Sequence, residues 1–168
     1  IWVGTFGGGI HLISFSHDTC IVERPNIYLS RYENLVKSIE KIEADEFLVG
    51  THGSGIKHIK INAPDQCELS DYPLDLSGNE DLIVWDILKT TDQAIWITTD
   101  KKGVFRIRNN HITTFDNSNG LETNQVLKLF EDRNKNIWIG TNDKGLSLYL
   151  GDEFVRSDNG EFSKNPIT

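Results

Sequence analysis

The residues in this sequence best suited to proton transfer are two aspartates and two histidines. Asp81 and Asp86 stand five positions apart, and paired carboxylates hydrolyse glycosides when one protonates the leaving group and the other attacks or activates water. That chemistry depends on a carboxylate separation that spacing along the chain does not supply. Asp81 reads more simply as a loop residue ahead of a strand, and Asp86, beside apolar neighbours, as an inner-strand residue lining a channel. His52 and His111 are the candidate bases. A lyase would draw its base from a loop, which makes His52 the first suspect for that chemistry.

Metal and cofactor chemistry find less. Asp132-x-Asn134-x-Asn136 resembles the start of a calcium loop but lacks the following Gly and the Glu at the twelfth position. A hairpin turn accounts for the same residues, since Asp and Asn bond their own backbone. His11 and His17, and His52 and His58, lack zinc-ligand spacing, and Cys20 and Cys67 form no CxxC pair. Gly7-Gly8-Gly9 has no helix after it to complete a phosphate cradle. No metal and no cofactor are expected.

The 168 residues carry 17 Lys and Arg against 25 Asp and Glu, a net charge of -8. The basic residues are not gathered in sequence, so nucleic acid and anionic membrane surfaces are poor partners. Hydrophobic residues make up 38% of the chain, against disorder, and the longest apolar runs, such as Leu82-Ile83-Val84-Trp85, are too short to insert in a bilayer.

The elements that must position these side chains come from an internal repeat. Ile1-Trp2-Val3-Gly4-Thr5, Phe47-Leu48-Val49-Gly50-Thr51, Ile95-Trp96-Ile97-Thr98-Thr99 and Ile137-Trp138-Ile139-Gly140-Thr141 are each followed by a short polar gap, a Gly and an aliphatic residue. Their second residues, at 2, 48, 96 and 138, are 46, 48 and 42 apart, the period of four-stranded propeller blades. Within the clearest period, 125–131 reads as an inner strand A, 137–141 as strand B, 146–150 as strand C and 153–157 as a polar outer strand D. The fold expected is all-β, a β-propeller fragment of about four four-stranded antiparallel blades. The blades are placed at approximately 1–30, 31–76, 77–117 and 118–160, the first without its inner strand. In this frame Trp2, Trp96 and Trp138 fill space between blades rather than forming a sugar-stacking ladder. Cys20 and Cys67 fall near the outer strands of adjacent blades, which splay apart, so two free thiols are expected.

The succession Val126-x-x-Leu129-x-Glu131-Asp132, Asn136-Ile137-Trp138-Ile139-Gly140-Thr141 and Gly145-Leu146 resembles the two-component regulator propeller repeat, as does Asn119-Gly120-Leu121-x-x-Asn124-x-Val126 ahead of it. Leu48 in place of Trp and Thr98 in place of Gly depart from it. Such repeats form the periplasmic sensory part of membrane-spanning histidine kinases, often hybrid ones that respond to oligosaccharides. The resemblance therefore implies a periplasmic segment of an inner-membrane protein, non-catalytic itself, the full-length protein being a histidine kinase. A scaffold or protein-interaction propeller is the alternative, and a propeller lyase the third reading; no second histidine stands in a loop matching that of His52.

In a propeller the D–A and B–C loops emerge together on one face, the usual recognition surface. The residues expected to meet a ligand there are Arg31, Tyr32, His52, Asp100, Lys101, Asn142 and Lys144, with Trp85 and Asp86 on the third inner strand. This mixture of amide, charged and aromatic groups suits an oligosaccharide or a similar polar ligand. The last residues, Gly160-x-x-x-x-Asn165-x-Ile167, echo Gly120-x-x-x-Asn124-x-Val126, so 161–168 are expected to begin a further blade. An open arc of this kind exposes apolar end faces, so further propeller blades or self-association are expected partners.

Overall fold

A computed structural model describes residues 1–17, 19–27, 29–31, 33–63, 66–74, 82–151, 153–158 and 161–163. Everything below concerns these residues. All regular structure is β, in four antiparallel sheets whose strands follow one another in chain order.

The first sheet contains β1 (Trp2–Thr5), β2 (Gly9–Ser16) and β3 (Thr19–Glu23). The second contains β4 (Val36–Glu43), β5 (Glu46–Thr51), β6 (Ile56–Ala63) and β7 (Gln66–Asp71). The third runs through β8 (Val84–Lys89), β9 (Ile95–Thr99), β10 (Val104–Arg108) and β11 (His111–Phe115). The fourth has five strands: β12 (Val126–Glu131), β13 (Ile137–Thr141), β14 (Leu146–Tyr149), β15 (Phe154–Asp158) and β16 (Glu161–Ser163). Residues 161–163 pair back onto β15 in the register Arg156↔Ser163 and Ser157↔Phe162, where the outer edge of β15 offers unpaired backbone groups within hairpin reach. Asn165 and Ile167, on which the expectation of a further blade rests, lie outside the described residues, as do Tyr32 and Asp81.

The chain divides into two compact units, Ile1–Val84 and Trp85–Thr168. In the first, Ile10, Val36, Phe47, Val49 and Ile59 form a core, with Trp2, Ile39, Leu69 and Cys67 packed against it. In the second, Trp96, Val104, Val126, Leu129, Ile139, Tyr149 and Phe154 do so. The central β5 and β9 are apolar at successive positions and nearly fully buried, as strands covered on both faces must be.

The repeated Thr and Gly have a local cause. Thr51, Thr99 and Thr141 end strands β5, β9 and β13. Each hydroxyl donates to the carbonyl of the Gly four residues on, at 2.8, 3.1 and 3.0 Å. Each also accepts the N–H three residues on, from Ser54, Lys102 and Lys144. The Gly closes the turn with φ between 64° and 74° at Gly55, Gly103 and Gly145, a region in which a side chain is strained. The Gly inside strand β5 has a different reason. A Cβ on Gly50 would lie 2.8 Å from Val84 Cγ1 and 3.1 Å from the Val84 carbonyl, so the backbone is bare where the next inner strand's first Val approaches.

Asp132 organises the turn from β12 to β13. Its Oδ1 accepts the backbone N–H groups of Asn134 and Asn136, and its Oδ2 accepts Asn136 Nδ2 and Trp138 Nε1, all between 2.8 and 3.0 Å. The carboxylate that resembled a calcium ligand is thus occupied in holding the turn and the indole. Foremost through the Trp138 bond, with the Asn136 and Asn134 donors outweighing a desolvation cost, its pKa is lowered to about 2.

Candidate functional site

Two inner strands carry a β-bulge near their start. Pairing of β4 with β5 slips between Val36 and Ser38, and pairing of β12 with β13 slips between Val126 and Lys128. The extra residues are Lys37 and Leu127, and Trp85 occupies the same place after Val84. A bulge re-aims the side chain it carries. Lys37 and Leu127, and Trp85 at the matching position, lie beside the B–C turns, whose first residues are Phe6, His52, Asp100 and Asn142 in the four repeats.

In the second unit this arrangement makes a pocket of about 460 Å³ lined by Trp85, Asp100, Lys101, Gln125, Leu127 and Asn142. Asn142 is anchored to the head of β12 twice: its N–H donates to the Gln125 carbonyl and its Nδ2 to Gln125 Oε1, both at 3.0 Å. The Lys101 ammonium stands 3.8 Å from Asp100 Oδ2, with Lys101 well exposed and Asp100 mostly covered. An indole and an isobutyl group therefore meet one carboxylate, one ammonium and two amides, a set able to bind a polar ligand by both face and edge.

The first unit places a smaller cluster at the corresponding turns. Phe6 is 62% exposed, the Lys37 ammonium lies 4.5 Å from its ring centroid, and the His52 ring meets it edge-on at 5.6 Å. The His52 N–H is tied to the Leu35 carbonyl, which fixes the turn against its own inner strand.

Of the expected site residues, the structure brings Trp85, Asp100, Lys101 and Asn142 into one pocket. Lys144 is exposed on the same turn as Asn142 without lining it. Arg31 is exposed in the turn that ties Asn34 to Ser30, and Tyr32 lies outside the described residues. Asp86 departs from its expected place. It is 4% exposed, does not line the pocket, and accepts the Leu129 N–H and the Lys128 ammonium, each at 2.9 Å. A carboxylate beside apolar neighbours is needed there because the Leu129 N–H faces it from the adjoining inner strand. The tryptophans also differ among themselves. Trp96 is 2% exposed and stacks on Phe115, whereas Trp2 and Trp138 are half-buried.

Phe6, Lys37, Gln125 and Leu127 were not identified from the sequence. The signal was present in the alignment of repeats, since Phe6 takes the place of His52 and Asn142, and Lys37 and Leu127 that of Trp85. Among the described residues no group of three or more His, Cys, Asp or Glu could hold a metal. Cys20 is exposed and Cys67 half-buried, and both are free thiols.

Residues 120–143 match the two component regulator propeller family. The fold is similar to that of several solved structures. One is the extracellular domain assigned to a hybrid two component system, BT3049, of B. thetaiotaomicron, with 24% identity, a TM-score of 0.71, and coverage of 94% of this chain and 21% of that one. Another is the extracellular domain assigned to the hybrid two component system BT4673 of B. thetaiotaomicron, with 22% identity, a TM-score of 0.64, and coverage of 95% and 21%. A third is PorZ of Porphyromonas gingivalis, a surface component of the type-IX secretion system, with 16% identity, a TM-score of 0.64, and coverage of 90% and 23%. The chain thus spans about a fifth of the length of the structures it matches. A comparison with curated proteins found no match.

Proposed function

We propose that this chain is a non-catalytic, ligand-binding part of the sensor of a two-component regulator, the family whose propeller repeat residues 120–143 match. The observation that carries this reading is the pocket of Trp85, Asp100, Lys101, Gln125, Leu127 and Asn142. A pyranose offers an apolar face to the indole and hydroxyls to the amides and charges around it. An oligosaccharide is therefore the ligand class proposed, with exposed Phe6 a second stacking platform on the first unit. The two neighbours described as extracellular domains support a periplasmic location within an inner-membrane protein, and a histidine kinase as the full-length protein. Among the described residues no helix is long and apolar enough to cross a membrane.

A glycan array followed by calorimetric titration tests the proposal. Asn142→Ala removes one exposed hydrogen bond to Gln125 and Lys101→Ala alters an exposed turn residue, each changing stability by about 1 kcal/mol or less, and each weakens glycan binding. A glycan bound equally by wild type and by the Asn142→Ala/Lys101→Ala double variant places the site elsewhere. A second reading, an interaction scaffold, draws support from the exposed Phe15 and Val22 of the first sheet and Phe130 and Leu146 of the fourth. Under it the array is silent while light scattering reports association that rises with concentration.

A further inference from the structure

The two units use the same positions between their paired sheets in opposite ways. In the second unit Trp96 stacks on Phe115 at 5.7 Å and 12°, and meets Tyr149 at 5.1 Å. Phe154 closes the group against Phe115 and Tyr149. Arg106, directly opposite Trp96 in the ladder, lays its guanidinium 5.3 to 5.7 Å from three of these rings. Its Nη1 donates to the Tyr149 hydroxyl at 2.6 Å. The space is full, and it is filled by aromatic rings carrying one oxygen acceptor under a guanidinium.

The register assigns each of these residues a counterpart in the first unit. Trp2 corresponds to Trp96 and Leu12, opposite Trp2, to Arg106. Ile59 and Leu69, opposite one another, correspond to Tyr149 and Phe154. The Leu12↔Glu23 register, continued by two residues, sets Pro25 where the second unit has Phe115. Two rings and a guanidinium are thus replaced by aliphatic side chains and a third ring by proline.

Leu12 and Pro25, the counterparts of Arg106 and Phe115, line a cleft of about 640 Å³ beside Trp2, within the size range of pockets for small ligands. The row Trp2, Leu12 and Glu23 of the first sheet makes one wall, and the opposed pair Ile61 and Cys67 of the second makes the other. Arg24, Pro25 and Asn26 form the rim. Arg24 pairs with no acceptor among the described residues. We propose that this cleft is a binding site for a small aromatic acid or phenol. Its ring lies beside Trp2 and Pro25, where Phe115 stacks on Trp96 in the second unit, and its oxygen acceptor meets Arg24 as the Tyr149 hydroxyl meets Arg106. The site is independent of the glycan pocket, which lies in the other unit.

Cys67 in the cleft wall reports occupancy directly. Burial pushes its thiol pKa up, so alkylation by N-ethylmaleimide is followed at mildly alkaline pH in a Cys20→Ser variant of the chain, with 4-hydroxybenzoate as the probe. The labelling rate follows the unoccupied fraction, so probe at about ten times its dissociation constant slows labelling about tenfold. Arg24→Gln, at an exposed rim position, raises the probe concentration required. A Leu12→Arg/Pro25→Phe variant that copies the second unit abolishes the protection. Unchanged labelling at millimolar probe, equal protection in Arg24→Gln, or equal protection by cyclohexanecarboxylate each overturns the proposal.

Discussion

Replacing Asp86 with alanine tests whether its carboxylate holds inner strands together or serves a ligand. The group is 4% exposed and accepts two hydrogen bonds of 2.9 Å, one from the Leu129 N–H and one from Lys128 Nζ. The two donors are unequal. The Lys128 side chain is 74% exposed, and an ion pair with so exposed a partner contributes about 0–1 kcal/mol. The Leu129 N–H is buried, and a hydrogen bond to a charged acceptor contributes about 1.5–3 kcal/mol, with a further desolvation cost when the donor is left unpaired. Loss of the buried charge relieves part of this, so Asp86→Ala costs roughly 2–4 kcal/mol. For a chain of this size that lowers the melting temperature by roughly 4–16 °C. Asp86→Asn keeps an oxygen for Leu129 and loses roughly half as much, while Lys128→Ala changes stability by less than about 1 kcal/mol. Thermal and urea melts of the three variants, followed by tryptophan fluorescence, decide the matter. If Lys128→Ala proves as costly as Asp86→Ala, or if Asp86→Ala melts like wild type yet loses ligand, the strand-tie reasoning is refuted.

The Asp132 carboxylate, depressed from the ordinary 3.8 to about 2, contributes stability that is fully present above its unfolded value. That stability is lost as pH falls from about 4 through about 2; an acid titration of Asp132→Asn should show a shallower loss over this window, with the Trp138 emission as reporter. Gly50→Ala sets a Cβ within 2.8 Å of Val84 and costs roughly 1–3 kcal/mol. Gly140→Ala, whose Cβ meets nothing closer than 3.6 Å, leaves the melting temperature nearly unchanged, and a reversed order would contradict the close-approach account of the motif glycine. Trp96→Ala empties a packed aromatic cluster and costs roughly 3–5 kcal/mol, more than Trp138→Ala, whose ring is half-buried, as denaturant midpoints will show.

Much of the fold was legible because its signals are local and repeated. The strand period, the Thr-x-x-x-Gly turn and the Asp132 turn each arise from residues close together in the chain, so their conformational preferences and hydrogen-bond partners can be read from a short stretch of sequence. Strand polarity likewise announced β5 and β9, since an element covered on both faces must be apolar at successive positions. Part of the candidate pocket was legible for the same reason: Asp100, Lys101 and Asn142 sit on turns that the repeat locates.

What the tertiary structure decided is what depends on the neighbouring strand or sheet. Asp86 looks like a channel residue in sequence and becomes a strand tie because the N–H it meets belongs to Leu129, 43 residues away. The bulges at Lys37 and Leu127 leave no mark in composition, since a bulge is a property of pairing between two strands and not of either strand alone. The contrast between Trp96, sealed by Phe115, Tyr149 and Arg106, and Trp2, left beside a cleft, appears only when the sheets pack, because a side chain's volume becomes filled space or empty space according to what stands opposite it.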